Sequence, residues 1–216
     1  MSEPSLDPAG APAARPRRRT QAERREEAER RLLDAALEVV ARRGSVRMTL
    51  AEVGEVAGYS RGLAAHRFGN KAGLLRALVA HIGARFREQR EAGPPSKPGL
   101  DSIRRSISVY FSRTEQSWIS TRALLVMMTE GFMEDSDLRE HVTAYTRSAR
   151  SFFEQQIRHG VASGEIAPDI DPKSTAVILL GAMRGVMLQR LNDNDIDLLE
   201  VRDRMLAIVD RMLGRR

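Results

Sequence analysis

The sequence predicts an all-α protein of roughly nine helices, and three observations carry that prediction. Apolar residues recur at three- and four-residue spacing through nearly every long segment, which is the stripe of a helix buried on one face. No segment alternates with the period of two that a half-buried strand requires. Helix start signals and glycine stops punctuate the chain at intervals of helical length.

The opening MSEPSLDPAGAPAARPRRRT is rich in Pro, Ala and Arg and has no apolar run of the kind a secretory signal contains. Residues 1–20 are expected to form a disordered basic arm. Thr20 and Glu23 have capping-box spacing and open a helix near Gln21–Arg43, with Leu33, Ala36, Leu37 and Val40 on one stripe and Gly44 as its stop. A second capping box, Thr49 to Glu52, opens a short helix through Leu50, Val53, Val56 and Ala57. Gly58 permits the left-handed backbone that ends it, and Ser60 is placed to cap the next helix, about Arg61–Arg67. Two short helices joined by a tight turn containing glycine form a helix-turn-helix, whose second helix enters the DNA major groove. Asn70 caps a fourth helix, about Lys71–Arg90, with Leu74, Leu75, Leu78, Ile82 and Phe86 turned inward.

The breaker run GPPSKPG at 93–99 divides the chain, with a DNA-binding domain expected over 21–90 and a second domain over 91–216. That second domain begins with a helix near Leu100–Thr114, carrying Ile103, Ile107, Tyr110 and Phe111, and a Met-rich helix over about Ser117–Met133. Asp135 or Ser136 is expected to cap a long helix reaching Ser163, with Leu138, Val142, Tyr145, Phe152, Phe153 and Ile157 inside and Gly164 after it. Asp171 followed by Pro172 pairs a capping residue with proline at the first helical position, and opens Pro172–Leu191. Between Thr175 and Leu188 that helix is apolar almost all round, so it needs cover on more than one side. Gly181 and Gly185 allow a second backbone to come close; Arg184 and the short length argue against a membrane span. The last helix, about Ile196–Leu213, carries Leu198, Val201, Met205, Ile208 and Met212, with Leu199, Leu206 and Leu213 beside them. Together the last two helices hold more apolar surface than a monomer of this size needs. A homodimer through them is expected, the alternative being a monomeric core that absorbs both faces.

Charge is segregated along the chain. Residues 1–90 hold 18 Lys and Arg against 11 Asp and Glu, whereas residues 91–216 hold 17 against 18. All of the net charge of +6 therefore lies with the helix-turn-helix, as nucleic-acid binding requires. Cysteine is absent, which fits a reducing cytoplasm and removes disulfides, thiolate metal sites and a cysteine nucleophile. Enzyme signatures are lacking as well. His66, His81, His141 and His159 have no metal-ligand spacing, and there is no glycine-rich phosphate loop or Gly-x-Ser-x-Gly. NDNDID at 192–197 lacks the glycine and the distal glutamate of a calcium loop and reads as an acidic turn. No cofactor and no metal are expected.

The window from Thr49 through Ala57-Gly58-Tyr59-Ser60-Arg61-Gly62, His66-Arg67-Phe68 and Asn70-Lys71 to Leu74 resembles the TetR (tetracycline-repressor-like) family of transcriptional regulators. Outside it the likeness is architectural and covers about residues 21–213. The resemblance implies a homodimer on a near-palindromic operator, released when a small apolar or amphipathic molecule enters the second domain. Two positions depart from the family pattern. Ala64 stands where a larger aliphatic residue is usual, and Ala65 where a tyrosine usually reaches a phosphate; His66 and Tyr59 are the candidate substitutes.

Thr49 and Ser60 match phosphate-contacting positions of the family, and both also suit plain N-capping. Lys71 sits in the first turn of the fourth helix, where a phosphate would offset its unfavourable place on the helix dipole. Arg61 is the expected base reader, since arginine grips guanine O6 and N7 bidentately. Gly62 lets the backbone approach DNA, Leu63 suits a thymine methyl, and His66 and Arg67 supply donors to bases or phosphates. Arg17, Arg18 and Arg19 suit an adjacent minor groove or form a solubilising tail. In the second domain Tyr110, Phe111, Trp118, Met127, Met128, Phe132, Tyr145, Phe152, Met183 and Met187 are candidate effector-pocket walls, each with the alternative of ordinary core. His141 and Arg184 add polar groups near an apolar core that need partners. The rival reading is a ligand-independent DNA-binding or protein-interaction module with the same helix-turn-helix.

Overall fold

The computed structural model describes residues 20–112, 115–133, 136 and 138–214. Arg17, Arg18, Arg19 and the candidate cap Asp135 lie outside them. Nine helices occur among the described residues: α1 (Gln21–Arg43), α2 (Leu50–Val56), α3 (Leu63–Phe68), α4 (Lys71–Glu91), α5 (Leu100–Tyr110), α6 (Glu115–Glu130), α7 (Arg139–Ser163), α8 (Pro172–Asn192) and α9 (Leu198–Leu213). Extended pairing is confined, among the same residues, to an isolated antiparallel bridge between Ile166 and Gly214.

Most starts and stops follow local chemistry. Thr20 Oγ1 accepts from Glu23 N at 3.2 Å, and Glu23 Oε2 accepts from Thr20 N at 2.7 Å, closing the first capping box. The second box is half made. Thr49 Oγ1 accepts from Glu52 N at 3.2 Å, while the Glu52 carboxylate pairs with Arg43 of α1. Asn70, Asp171 and Asp197 each cap the helix that follows.

Several boundaries differ from the sequence expectation. Helix α3 starts at Leu63, not Arg61, and Ser60 does not cap it through its side chain; its carbonyl instead accepts from Leu63 N at 3.1 Å. The turn thus runs over 57–62, three residues longer than local signals suggest. Ser136 Oγ accepts from Leu138 N at 3.3 Å, and α7 begins only at Arg139, with Leu138 in the cap position. Helix α5 stops at Tyr110, α6 stops at Glu130, and α9 starts at Leu198, not Ile196, because Asp197 takes the cap.

One hydrophobic cluster runs from Leu32 in α1 to Leu213 in α9. Helix α4 joins its two ends. It packs on α1 and α3, and also on α5, α6 and α7. The junction of α1 with α4 is polar as well as apolar: Asp34 Oδ1 is 3.1 Å from His81 Nε2 and accepts from Arg85 Nη1 at 2.8 Å. The hydrogen bond with His81, reinforced by the positive charge of Arg85, holds the Asp34 carboxyl below the usual carboxylate range. A depressed folded-state pKa means that the carboxylate stabilises the fold above its ordinary pKa of about 4 and loses that contribution as pH falls through the lower folded value. Asp34 is about half exposed, so solvent screening limits the effect to ~1 kcal/mol or less. Urea midpoints at pH 5 and pH 3 (roughly one unit either side of the ordinary Asp value) should therefore differ less in Asp34→Asn than in the parent protein.

A direct tie also links α6 to the first helices. Glu130 accepts from Ser45 N at 3.0 and 3.1 Å and pairs with the Ser45 hydroxyl, just beyond the end of α1.

Candidate functional site

The helix-turn-helix is held by a close backbone contact. A Cβ built on Gly54 in α2 would lie 2.5 Å from the Ser60 carbonyl oxygen, so only a hydrogen fits there. Gly58, at φ 76°, turns the chain between the two helices. Ala64 is fully buried and Phe68 packs against the core, which seats α3. The rest of the short helix faces out. Thr49, Ser60, Arg61, Gly62, Ala65, His66 and Arg67 are exposed, and Leu63 and Lys71 are half-buried. The cations on this surface are already engaged. Arg61 pairs with Glu55. Arg67 Nε donates to Glu29 Oε2 at 2.7 Å and Nη2 to the Arg25 carbonyl at 3.3 Å, tying α3 to α1. Lys71 Nζ donates to the Val46 carbonyl at 2.6 Å, bracing the turn before α2.

The second domain contains a cavity of about 350 Å³ between α4, α5, α7 and α8. Of the predicted wall residues it brings together Tyr110, Tyr145, Phe152, Met183 and Arg184. The others stand apart from it. Phe111, Met127 and Met187 are core side chains packed on all sides. Met128 backs onto the same core, and His141 sits half-buried in the first turn of α7. Trp118 lies under the Arg190 guanidinium, 5.4 Å from ring centroid to cation. Phe132 follows the end of α6 and is strongly exposed. The sequence reading missed the contribution of α4: Gly83, Phe86, Arg87 and Arg90 line the cavity. The signal was present, because these positions continue the inward stripe of α4 and place two arginines on it. Arg90 spreads over the Phe152 ring at 4.5 Å.

Two family models account for most of the chain. Residues 32–78 match the bacterial regulatory proteins of the tetR family, and residues 99–208 match the tetracyclin repressor-like C-terminal domain. The chain belongs to the TetR family. The curated regulator SrpR of Pseudomonas putida, an HTH-type transcriptional regulator, is 24% identical over 178 residues, 82% of this chain and 81% of SrpR. The crystal structure of a putative TetR-family regulator from Rhodococcus sp. superposes with a TM-score of 0.80 at 26% identity, covering 88% of this chain and all of the other. A putative transcriptional regulator from Saccharomonospora viridis, solved in complex with choline, shares the fold at 18% identity with a TM-score of 0.75, again over 88% of this chain and all of that one. This TetR-family protein is thus a helix-turn-helix, DNA-binding transcriptional regulator with a helical second domain. No helix of the described residues is long and apolar enough to cross a membrane.

Proposed function

We propose that this chain is a homodimeric repressor that grips a near-palindromic operator with α3 and lets go when a small molecule fills the cavity. The observation that carries this reading is the course of α4. Its first turn holds Lys71 against the Val46 carbonyl beside α3, and its later turns wall the cavity through Phe86, Arg87 and Arg90. A ligand that favours one placement of α4 therefore shifts α3, and operator binding shifts ligand affinity by the same factor. The Glu130 to Ser45 contact gives the second domain another hold on the same end of α1.

On DNA, Arg61 leaves Glu55 to read a base edge. That pair is exposed, so its loss costs little. Lys71, Thr49 and Ser60 meet phosphates, with Gly62, Leu63 and His66 against the groove. Arg67, locked to Glu29, acts through the pose of α3 and meets the backbone at its rim. Arg17, Arg18 and Arg19 reach an adjacent minor groove. Exposed apolar side chains on α8 and α9 support the dimer, since isolated soluble domains rarely leave such a patch uncovered.

Selection of bound sequences from random duplexes, followed by anisotropy titrations, tests the reading. Log affinity should fall with log salt at about −0.9 per phosphate neutralised. Lys71→Ala should weaken all sequences alike and flatten that slope by about one, while Arg61→Ala should cost roughly 1–3 kcal/mol and relax one position. An unaltered sequence preference in Arg61→Ala would remove it as the base reader. A cavity ligand that leaves operator affinity unchanged would remove the effector mechanism.

A further inference from the structure

The effector cavity is charged in one sense only. Arg87, Arg90 and Arg184 line it, and among the described lining residues there is no aspartate or glutamate. Elsewhere arginines find carboxylates: Arg85 with Asp34, Arg104 with Asp210, Arg158 with Glu154. In the cavity they do not. Arg184 Nη2 and Tyr110 Oη are both buried without a hydrogen-bond partner among the described residues, and Tyr110 is more than nine-tenths buried. Natural interiors satisfy nearly all such groups, because an unpaired buried donor keeps its full desolvation cost. Both residues line the one cavity, which thus holds two donors without an acceptor. Burial also holds the Arg90 and Arg184 guanidinium groups below their ordinary pKa, as expected for cations short of counter-charge.

We propose that the effector is an organic carboxylate, its charged head taken by Arg184 and Tyr110 and its apolar or aromatic body laid against Phe86 and Tyr145. The assignment rests on the effector-controlled reading above and names the chemistry of that same cavity. A guanidinium fork and a phenolic hydroxyl can both donate to a carboxylate, and the match is strong because the guanidinium and the carboxylate are charged. A quaternary ammonium such as the choline of the Saccharomonospora viridis complex is excluded on two grounds. The local charge repels it, and the Phe152 face that would cradle it is occupied by Arg90. The bound anion also draws cations of α4 toward those of α8, which gives the ligand its differential hold on α4.

The full-length protein is titrated by calorimetry and thermal shift with matched trios: phenylbutyrate, phenylbutyramide and phenylpropyltrimethylammonium, then octanoate, octanamide and octyltrimethylammonium. Each acid should bind roughly tenfold or more tightly than its amide, with no binding of the ammonium forms. Arg184→Gln should erase the preference of acid over amide. Tyr110→Phe, which removes one hydroxyl and leaves the ring, should weaken the acids about tenfold while helical circular dichroism and the melting of the free protein are retained or improved. Amides or ammonium ions that bind as well as the acids, acids that bind Arg184→Gln undiminished, or no binding of any member each overturn the assignment. Operator release is read separately by anisotropy. Acids that fill the cavity and leave DNA binding unchanged overturn the effector-controlled reading and leave the carboxylate assignment standing.

Discussion

Aspartate at Val177 and Ile178 together should leave the protein monomeric and lower operator affinity by a factor on the order of 100 or more. Helix α8 buries Thr175, Ala176, Leu179, Leu180, Met183 and Met187 on one side, mostly against α7. Its other side is equally apolar and is left open: Val177 is 51% exposed and Ile178 59%. A Cβ built on Gly181 or Gly185 meets nothing within 4 Å, so along the same stripe the α8 backbone itself is open to an approaching helix. Ile208 of α9 is likewise 56% exposed. Covering such a face is worth about 25 cal/mol per Å² of apolar area removed from water. An unpaired carboxylate buried in it costs several kcal/mol, which exceeds what a modest interface can absorb. The loss on DNA follows from linkage of two reading heads, since the second half-site is then bound without the gain in effective concentration. Sedimentation velocity and an operator titration check the two halves. A double variant that stays dimeric moves the interface elsewhere, and a monomer with parental affinity would mean that one α3 suffices.

The fate of α8 also shows what a sequence can and cannot reveal. That α8 is apolar all round was legible, as were the caps at Thr20, Thr49, Asn70 and Asp171, because these are local chemistry written within four residues. Where the cavity lies was not legible. Periodicity says that Phe111, Met127 and Tyr110 all point inward; only the packing of distant helices decides that Tyr110 borders a void while the other two are enclosed. The polar ties that hold α3 in place were hidden for the same reason. Glu29 lies 38 residues from Arg67, and the tie from α6 to the end of α1 is as remote, Glu130 lying 85 residues from Ser45. Ser60 misled because a serine before a short helix suits a cap, yet the turn needed its carbonyl and left its hydroxyl outside.

Gly54→Ala should be the most damaging single methyl in the DNA-binding half. On helix propensity alone the change would stabilise α2 by up to about 1 kcal/mol. Sterics oppose it. The new carbon would sit 2.5 Å from the Ser60 carbonyl oxygen and 3.3 Å from its carbon, and both belong to backbone that cannot rotate away. That same Ser60 carbonyl receives the Leu63 N–H that starts α3, and the Tyr59 N–H donates to the Gly54 carbonyl at 2.8 Å. Moving the turn to admit a methyl therefore tilts α3 or unseats Ala64 from the core. Overpacking of this kind costs roughly 1–3 kcal/mol, enough to outweigh the propensity gain. The larger loss should be in operator binding, because a reading helix displaced by about 1 Å misplaces every donor on it at once, whereas Arg61→Ala removes only one. The expected signature is a small fall in the urea midpoint, helical content close to parental, and specific binding reduced to the salt-sensitive level of random DNA. Parental operator affinity in Gly54→Ala would show that the contact between α2 and Ser60 does not set the pose of α3.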